Sequence, residues 1–194
     1  MIEKVNRVYI TGCGDSYCAA LACRDFFIKY AKIHVEVHQA LEFSRYVCPS
    51  EVDDKAVVIS ISSSGKVART VECALRAKER DAISIGVTSR PDSLLARTAT
   101  ESIVVNTPDV VGVAPGTQSY IASQVAIMCF AVAFGKARGF LSDEEVVSIF
   151  NYIAELGKAM KLTVERNFDL IRKYIKAYND PDTPNNIKIF HILG

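Results

Sequence analysis

The run Ile59-Ser60-Ile61-Ser62-Ser63-Ser64-Gly65 passes without a break into an amphipathic stretch over 66–80. Three hydroxyls and a glycine, placed where an apolar strand gives way to a helix, are residue types that seat an anion. Their side chains are short enough for the backbone to approach a ligand, and the first N–H groups of a helix have no partner within it. A phosphate ester suits such a place, held by Ser62, Ser63, Ser64 and Gly65. Lys66 strengthens the reading, because a cation in the first turn of a helix opposes the helix dipole unless an anion sits beside it. The alternative is that the serines only cap the helix while Lys66 points to water.

Two other segments are rich in the same residue types: Gly12-Cys13-Gly14-Asp15-Ser16 and Val113-Ala114-Pro115-Gly116-Thr117-Gln118-Ser119. Hydrophobic periodicity explains how they come together. Short apolar strands are expected over 8–11, 33–37, 56–62, 82–87 and 102–105, and helices over 16–30, 40–47, 67–80, 94–97 and 117–138. The last of these helices is apolar nearly all round, which predicts burial on several sides. Such alternation argues for an α/β fold, a parallel sheet covered by helices on both faces. Ligands in these sheets sit beyond the carboxyl ends of the strands, so the three loops form one expected site.

Two nucleotide patterns fail at specific positions. Gly12-x-Gly14, with Glu36 further on, resembles a dinucleotide fingerprint, but Tyr17 occupies the third glycine position. Gly65-Lys66 resembles the end of a P-loop, yet Ser60 and Val67 stand where Gly and Ser or Thr are needed.

With 194 residues, 49% hydrophobic composition and a net charge of +1, the chain can bury a full core and implies no nucleic-acid partner. The apolar run over 125–134 is too short to cross a bilayer, and no signal-peptide layout surrounds it, so a cytoplasmic chain with no membrane partner is expected. Six cysteines and three histidines lack metal-ligand or disulfide spacing. The cysteines are expected to be reduced and mostly in the core, and no metal and no cofactor is expected.

Five segments together carry a resemblance: T-G-C-G-D-S-Y at 11–17, A-L-E-F-S-R-Y at 40–46, I-S-S-S-G-K-V-A-R-T at 61–70, S-L-L-A-R at 93–97 and G-V-A-P-G-T-Q-S-Y at 112–120. In this order they are similar to the SIS (sugar isomerase) domain, closest in pattern to the first repeat of the isomerase half of glutamine-fructose-6-phosphate transaminase. The resemblance implies a flavodoxin-like, three-layer α-β-α sandwich with a five-stranded parallel sheet that binds phosphorylated sugars.

Carried over by position, Ser62 and Ser64 match the family's phosphate-binding serines, and Ser63 replaces a frequent Gln. Ser16 matches a hydroxyl of the first loop and Val113 a backbone contact to the sugar, while Gly14 and Thr117 are also expected to bind the substrate. The chain departs from the family at Lys66-Val67, where the related pattern has Glu-Thr. It departs again at Asp15, which often is Thr and is expected here to cap the first helix, and in the longer third loop.

The domain expectation is an SIS domain over 1–140, a helical hairpin over 141–180, and a linker with the first strand of a truncated second repeat over 181–194. Ser142-Asp143-Glu144-Glu145 forms a capping box that opens the hairpin. Segment 187–194 echoes 7–12.

The function expected is the phosphosugar-binding, N-terminal half of a sugar-phosphate isomerase or aminotransferase-type protein, without a glutaminase. The alternatives are a non-catalytic sugar-phosphate sensor and a deglycase or deaminase acting on amino-sugar phosphates. The catalytic base is unassigned, with Glu42 the one candidate carboxylate at a matching position, and His34 and His38 are expected to be packed or exposed. A homodimer is expected, with a hexose or aminohexose phosphate as the small-molecule partner.

Overall fold

The computed structural model describes residues 2–107 and 116–179, with side chains as far as residue 176. The chain divides into two compact units, Met1–Ile149 and Phe150–Gly194.

Five strands form the sheet of the first unit: β1 (Arg7–Gly12), β2 (His34–Gln39), β3 (Ala56–Ile61), β4 (Ile83–Thr88) and β5 (Glu101–Val104). They pair in the order β2-β1-β3-β4-β5, all parallel. Every residue of the central strand β3 is buried, as a nearly unbroken apolar run requires when both faces of a sheet are covered. Alternate side chains then feed two cores. Val8, Ile10, Val57, Ile59 and Ile61 pack on one face with Phe27, Ile127 and Ala131. Tyr9, Ala56 and Val58 pack on the other with Phe43, Cys73 and Ala77.

The covering helices are α1 (Asp15–Phe26), prolonged by a π turn over Phe27–Ala31, and α6 (Thr117–Ala137) on the first face. On the second face lie α2 (Ala40–Glu42), a π turn over Phe43–Val47, α3 (Cys48–Glu51) and α4 (Ala68–Glu79). Helix α5 (Leu94–Thr98) joins β4 to β5 and buries Leu95 against Ala74 and Ala99. The five-stranded α/β sandwich is therefore the architecture expected from the sequence.

Three expectations are corrected. Helix α4 starts at Ala68 with Val67 as its N-cap, so Lys66 precedes the helix and does not lie in its first turn. Gly65, at φ +62°, turns the chain there before the helix can begin. Helix α6 is long and apolar enough to cross a membrane, although the run over 125–134 is expected to be too short, and it is buried along part of its surface and not on several sides. Ile127, Ala131 and Val132 face the core, whereas Ile121 and Val125 are exposed.

The third correction concerns the C-terminal hairpin. A single helix, α7 (Asp143–Asn179), runs through 37 residues. Nothing where the apolar stripe Val146, Phe150, Ile153 and Met160 gives way to Val164, Phe168, Ile171 and Ile175 supplies turn chemistry. Gly157 alone costs a helix about 1 kcal/mol relative to Ala, and the following Lys158-Ala159-Met160-Lys161-Leu162 are good helix formers. The capping box does open this helix: Ser142 N–H donates to Glu145 Oε2 at 2.8 Å and Glu145 N–H to Ser142 Oγ at 3.2 Å. The linker and strand expected over 181–194 lie outside the described residues.

Candidate functional site

Strand order reverses between β1 and β3: the chain leaves β1 to form β2 on one side, then returns to β3 on the other. In doubly wound sheets this switch point opens a crevice at the carboxyl ends of the two strands. A cavity of about 340 Å³ lies there. Cys13, Asp15, Ser16 and Ala19 line it from the β1 side, and Ile61, Ser62, Ser63, Ser64, Val67 and Thr70 from the β3 side. Ser119, Tyr120 and Ser123 come from α6.

Backbone geometry shapes both walls. Gly12 ends β1 where the chain doubles into α1, and a Cβ there would come within 2.9 Å of the Ser16 backbone. That close approach holds Ser16 over the strand end. On the other wall, the serine loop is fastened to the loop after β4. Ser62 N–H donates to the Val87 carbonyl at 2.9 Å, Ser89 N–H to the Ser63 carbonyl at 2.9 Å, and Leu95 N–H to the Gly65 carbonyl at 3.0 Å. Thr88 Oγ1 donates to the Ser63 carbonyl at 3.1 Å, and the Ser63 and Ser89 hydroxyls share a hydrogen bond of 3.2 Å. Gly65 lies so close to Ser93 that any side chain at position 65 would overlap it.

The hydroxyls differ in what they are left to do. Ser62 is 2% exposed and its Oγ has no hydrogen-bond partner among the described residues. An orphaned hydroxyl in a cavity wall is a donor waiting for an acceptor, since burying one unsatisfied costs about 1–3 kcal/mol. Ser64 Oγ accepts a bond from Lys66 N–H at 3.3 Å, which leaves its own proton available. Thr70 is fully buried and donates to Cys13 Sγ at 3.9 Å.

Asp15 is the one carboxylate in the described lining, and no lysine or arginine is among those lining residues. The expected capping role is corrected here: Gly14 is the N-cap of α1 and no side chain caps that end. Asp15 is the first residue of the helix, where a negative charge is favoured by the dipole.

The remaining expected residues fall as follows. Gly14, at φ +55°, shapes the turn rather than the wall. Thr117 is exposed at the start of α6 and outside the lining, whereas Ser119, two residues on, is within it. Val113 lies outside the described residues. Lys66 does not line the serine cavity and faces a neighbouring one. Glu42 is exposed beside His38, with Oε2 3.7 Å from His38 Nδ1, and does not line the cavity. His34 is exposed and His38 partly buried, as expected.

Sequence reasoning missed Thr70, Tyr120 and Ser123. Thr70 carried a readable signal, as a hydroxyl closing the motif 61–70 after Val67 had removed one. Tyr120 and Ser123 lie among apolar residues of α6 and carried none.

The profile of the SIS domain family matches residues 1–133, the stretch that builds the sheet and both described walls. The chain belongs to the SIS domain family. Among similar proteins, glutamine–fructose-6-phosphate aminotransferase [isomerizing] of Listeria monocytogenes is 36% identical over 156 residues, covering 80% of this chain and 25% of that protein. Its counterpart from Thermus thermophilus is 32% identical over 164 residues, covering 84% and 27%. This SIS chain thus spans about a quarter of the length of these curated relatives.

Among solved structures, the C-terminal domain of glucosamine-fructose-6-phosphate aminotransferase from Francisella tularensis superposes with a TM-score of 0.78. It is 25% identical and covers 89% of this SIS chain and 48% of that one. Glucosamine-6-phosphate deaminase from Thermotoga maritima shares the fold at 22% identity, with a TM-score of 0.60 over 78% of this chain and 46% of its own.

Proposed function

We propose that the serine cavity binds the phosphate group of a phosphorylated sugar, and that the chain is the phosphosugar-binding, N-terminal SIS half of a sugar-phosphate isomerase or aminotransferase-type protein. The observation that carries this reading is the buried, unpartnered Ser62 hydroxyl in a loop whose shape is fixed by its bonds to the β4 loop. The ester oxygens accept from Ser62 and Ser64 Oγ and from the amides of Ser63 and Ser64, which make no hydrogen bond among the described residues. Ser16 closes the seat from the α1 side. The sugar then extends toward Ser119 and Tyr120 on α6. Gly14, Val113 and Thr117 remain its proposed framing contacts.

The cavity volume of about 340 Å³ fits a hexose phosphate, since small-ligand sites occupy roughly 300–1,000 Å³. Asp15 adds a preference. Its charge repels a second anionic group and attracts a cationic one, which favours an aminohexose phosphate over a bisphosphate within this cavity.

A second reading, a sugar-phosphate sensor, is favoured by the lining itself: among its described residues there is no histidine and no glutamate. Isomerisation needs a base within hydrogen-bond reach of the C2 proton, and Glu42 is paired with His38 instead. Ketose–aldose exchange by this chain would overturn the sensor reading.

Fructose 6-phosphate and glucosamine 6-phosphate are expected to raise the melting temperature of the chain. Ser62→Ala with Ser64→Ala is expected to abolish the shift while leaving the unliganded melting temperature within a few degrees. A double variant that responds as strongly as the parent overturns the assignment.

A further inference from the structure

The serine loop begins as a β-turn. Gly65 N–H donates to the Ser62 carbonyl at 2.9 Å, which places Ser63 and Ser64 at the two central positions. Type I and type II turns differ in the direction of the peptide between those positions, and type II needs a positive φ at the second of them. Lys32 and Asp81 are the non-glycine residues at positive φ among the described residues, so this turn does not take the type II form. Moving a serine to positive φ costs on the order of what one hydrogen bond contributes, so the bonds made by this peptide decide which way it faces.

The Ser63 carbonyl accepts from Ser89 N–H at 2.9 Å and from Thr88 Oγ1 at 3.1 Å, which occupies both of its lone pairs. Thr88 is buried and does not line the serine cavity. Its single hydroxyl proton is committed to that carbonyl, while its oxygen accepts from Arg90 N–H at 3.2 Å and from Ser93 Oγ at 3.5 Å. Ser93 Oγ in turn accepts from Ala96 N–H at 3.3 Å, as the N-cap of α5. The donors therefore run one way, from α5 through Ser93 and Thr88 to Ser63.

Strand order gives that direction a consequence. Thr88 ends β4, and β4 lies on the side of β3 away from β1. A carbonyl drawn toward Thr88 and Ser89 points away from the β1–β3 crevice, and in a planar trans peptide the following N–H points the opposite way. The Ser64 N–H accordingly faces the crevice, where the cavity lies, and no backbone carbonyl among the described residues accepts it.

We propose that Thr88 is a positioning residue of the phosphate seat: without touching the ligand, its hydroxyl holds the Ser63–Ser64 peptide in the orientation that offers the Ser64 amide to a phosphate oxygen. This rests on the reading of the serine cavity as the place where the phosphate of a sugar ester binds.

The test is a titration of the ¹⁵N-labelled chain with fructose 6-phosphate, followed through backbone amide shifts. In the parent, the Ser64 amide proton is expected to move downfield on binding, as an N–H that donates to a phosphate oxygen does. Thr88→Val keeps the volume of the side chain and deletes the hydroxyl, whereas Thr88→Ser keeps the hydroxyl and deletes a methyl. Thr88→Val is expected to weaken binding about tenfold and to lose the Ser64 shift at saturation, with the Ser16 amide still responding. Thr88→Ser is expected to keep the Ser64 shift and an affinity within about threefold of the parent. A role in packing alone would give the reverse order, because the valine fills the space and the serine leaves a void. Circular dichroism checks folding, and should Thr88→Val fail to fold, Thr88→Ala removes the same hydroxyl and takes its place beside Thr88→Ser.

A Thr88→Val chain with the affinity and Ser64 shift of the parent, or a Thr88→Ser chain as impaired as Thr88→Val, overturns the assignment and leaves the seat itself in place. A parent with no response at Ser16 or Ser64 overturns the serine-cavity reading, and the role of Thr88 with it.

Discussion

Glu36 sits between two imidazoles, with Oε1 3.1 Å from His34 Nε2 and Oε2 3.1 Å from His38 Nε2. Burial alone would push its carboxyl up, but the hydrogen bonds and charges of His38 and His34 outweigh it and hold the group below the usual carboxylate range. A carboxyl lowered in the folded state stabilises the fold above its unfolded pKa of about 4.3, and that contribution disappears as the pH falls through the folded value. Glu36→Gln is therefore expected to lower stability by about 1 kcal/mol near pH 5, the difference fading below about pH 4. Urea unfolding at a series of pH values checks this, and a cost that is the same at every pH would refute it. At this scale the sequence was informative where chemistry is local. The serines that line the cavity and the Gly65 turn beside them could be read from types and spacing. Lys66 precedes α4 instead of lying in its first turn because the positive φ of Gly65 delays the helix, and no periodicity records that turn. Of the cysteines, Cys23, Cys48 and Cys73 are buried, with burial pushing their thiols up to about 12, 11 and 12, while Cys18 is exposed. The expectation of a mostly buried set thus fits three of the six.

Among the elements, β1, β3 and β4 were legible as short, mostly apolar runs bounded by polar or turn residues, and β2 by the alternation of Val35 and Val37 with polar neighbours. The start of α7 was equally plain, since Ser142 and Glu145 satisfy each other's backbone donors. The length of α7 was not. Two apolar stripes in succession suit a hairpin or a continuous helix alike, and only the lack of a breaker near Gly157 decides between them. At about 1.5 Å per residue, the 37 residues give a helix on the order of 55 Å long. Ser142→Ala removes the cap and is expected to cost about 1 kcal/mol. Loss of protection at the Glu145 amide in hydrogen exchange, with protection near the middle of α7 unchanged, would identify the effect as local fraying. Equal protection in parent and variant would show that the capping box contributes nothing.

For the whole molecule, the strand order followed from the family resemblance and not from periodicity, because the sequence pattern of a parallel strand does not say which neighbour it pairs with. Two of the three expected loops line the cavity, the third lies mostly outside the described residues, and α6 contributes side chains, Tyr120 and Ser123, that nothing in its apolar pattern marked. Helix α7 leaves Met160, Val164, Phe168, Ile171 and Ile175 exposed at steps of four, four, three and four, a stripe wide enough to seek cover. The full chain is expected to sediment as a homodimer, and Phe168→Asp with Ile171→Asp to shift it to monomer. A parent chain at monomer mass across all loading concentrations would reject this arrangement.

The fastening of the Ser62–Gly65 turn to its neighbours runs mostly through main-chain atoms, with Thr88 and Ser93 as buttresses. Its outline consequently survives exchange of the side chains it displays. A lineage built on this socket can change what it recognises by replacing hydroxyls or charges around the rim, one codon at a time, without rebuilding the scaffold beneath.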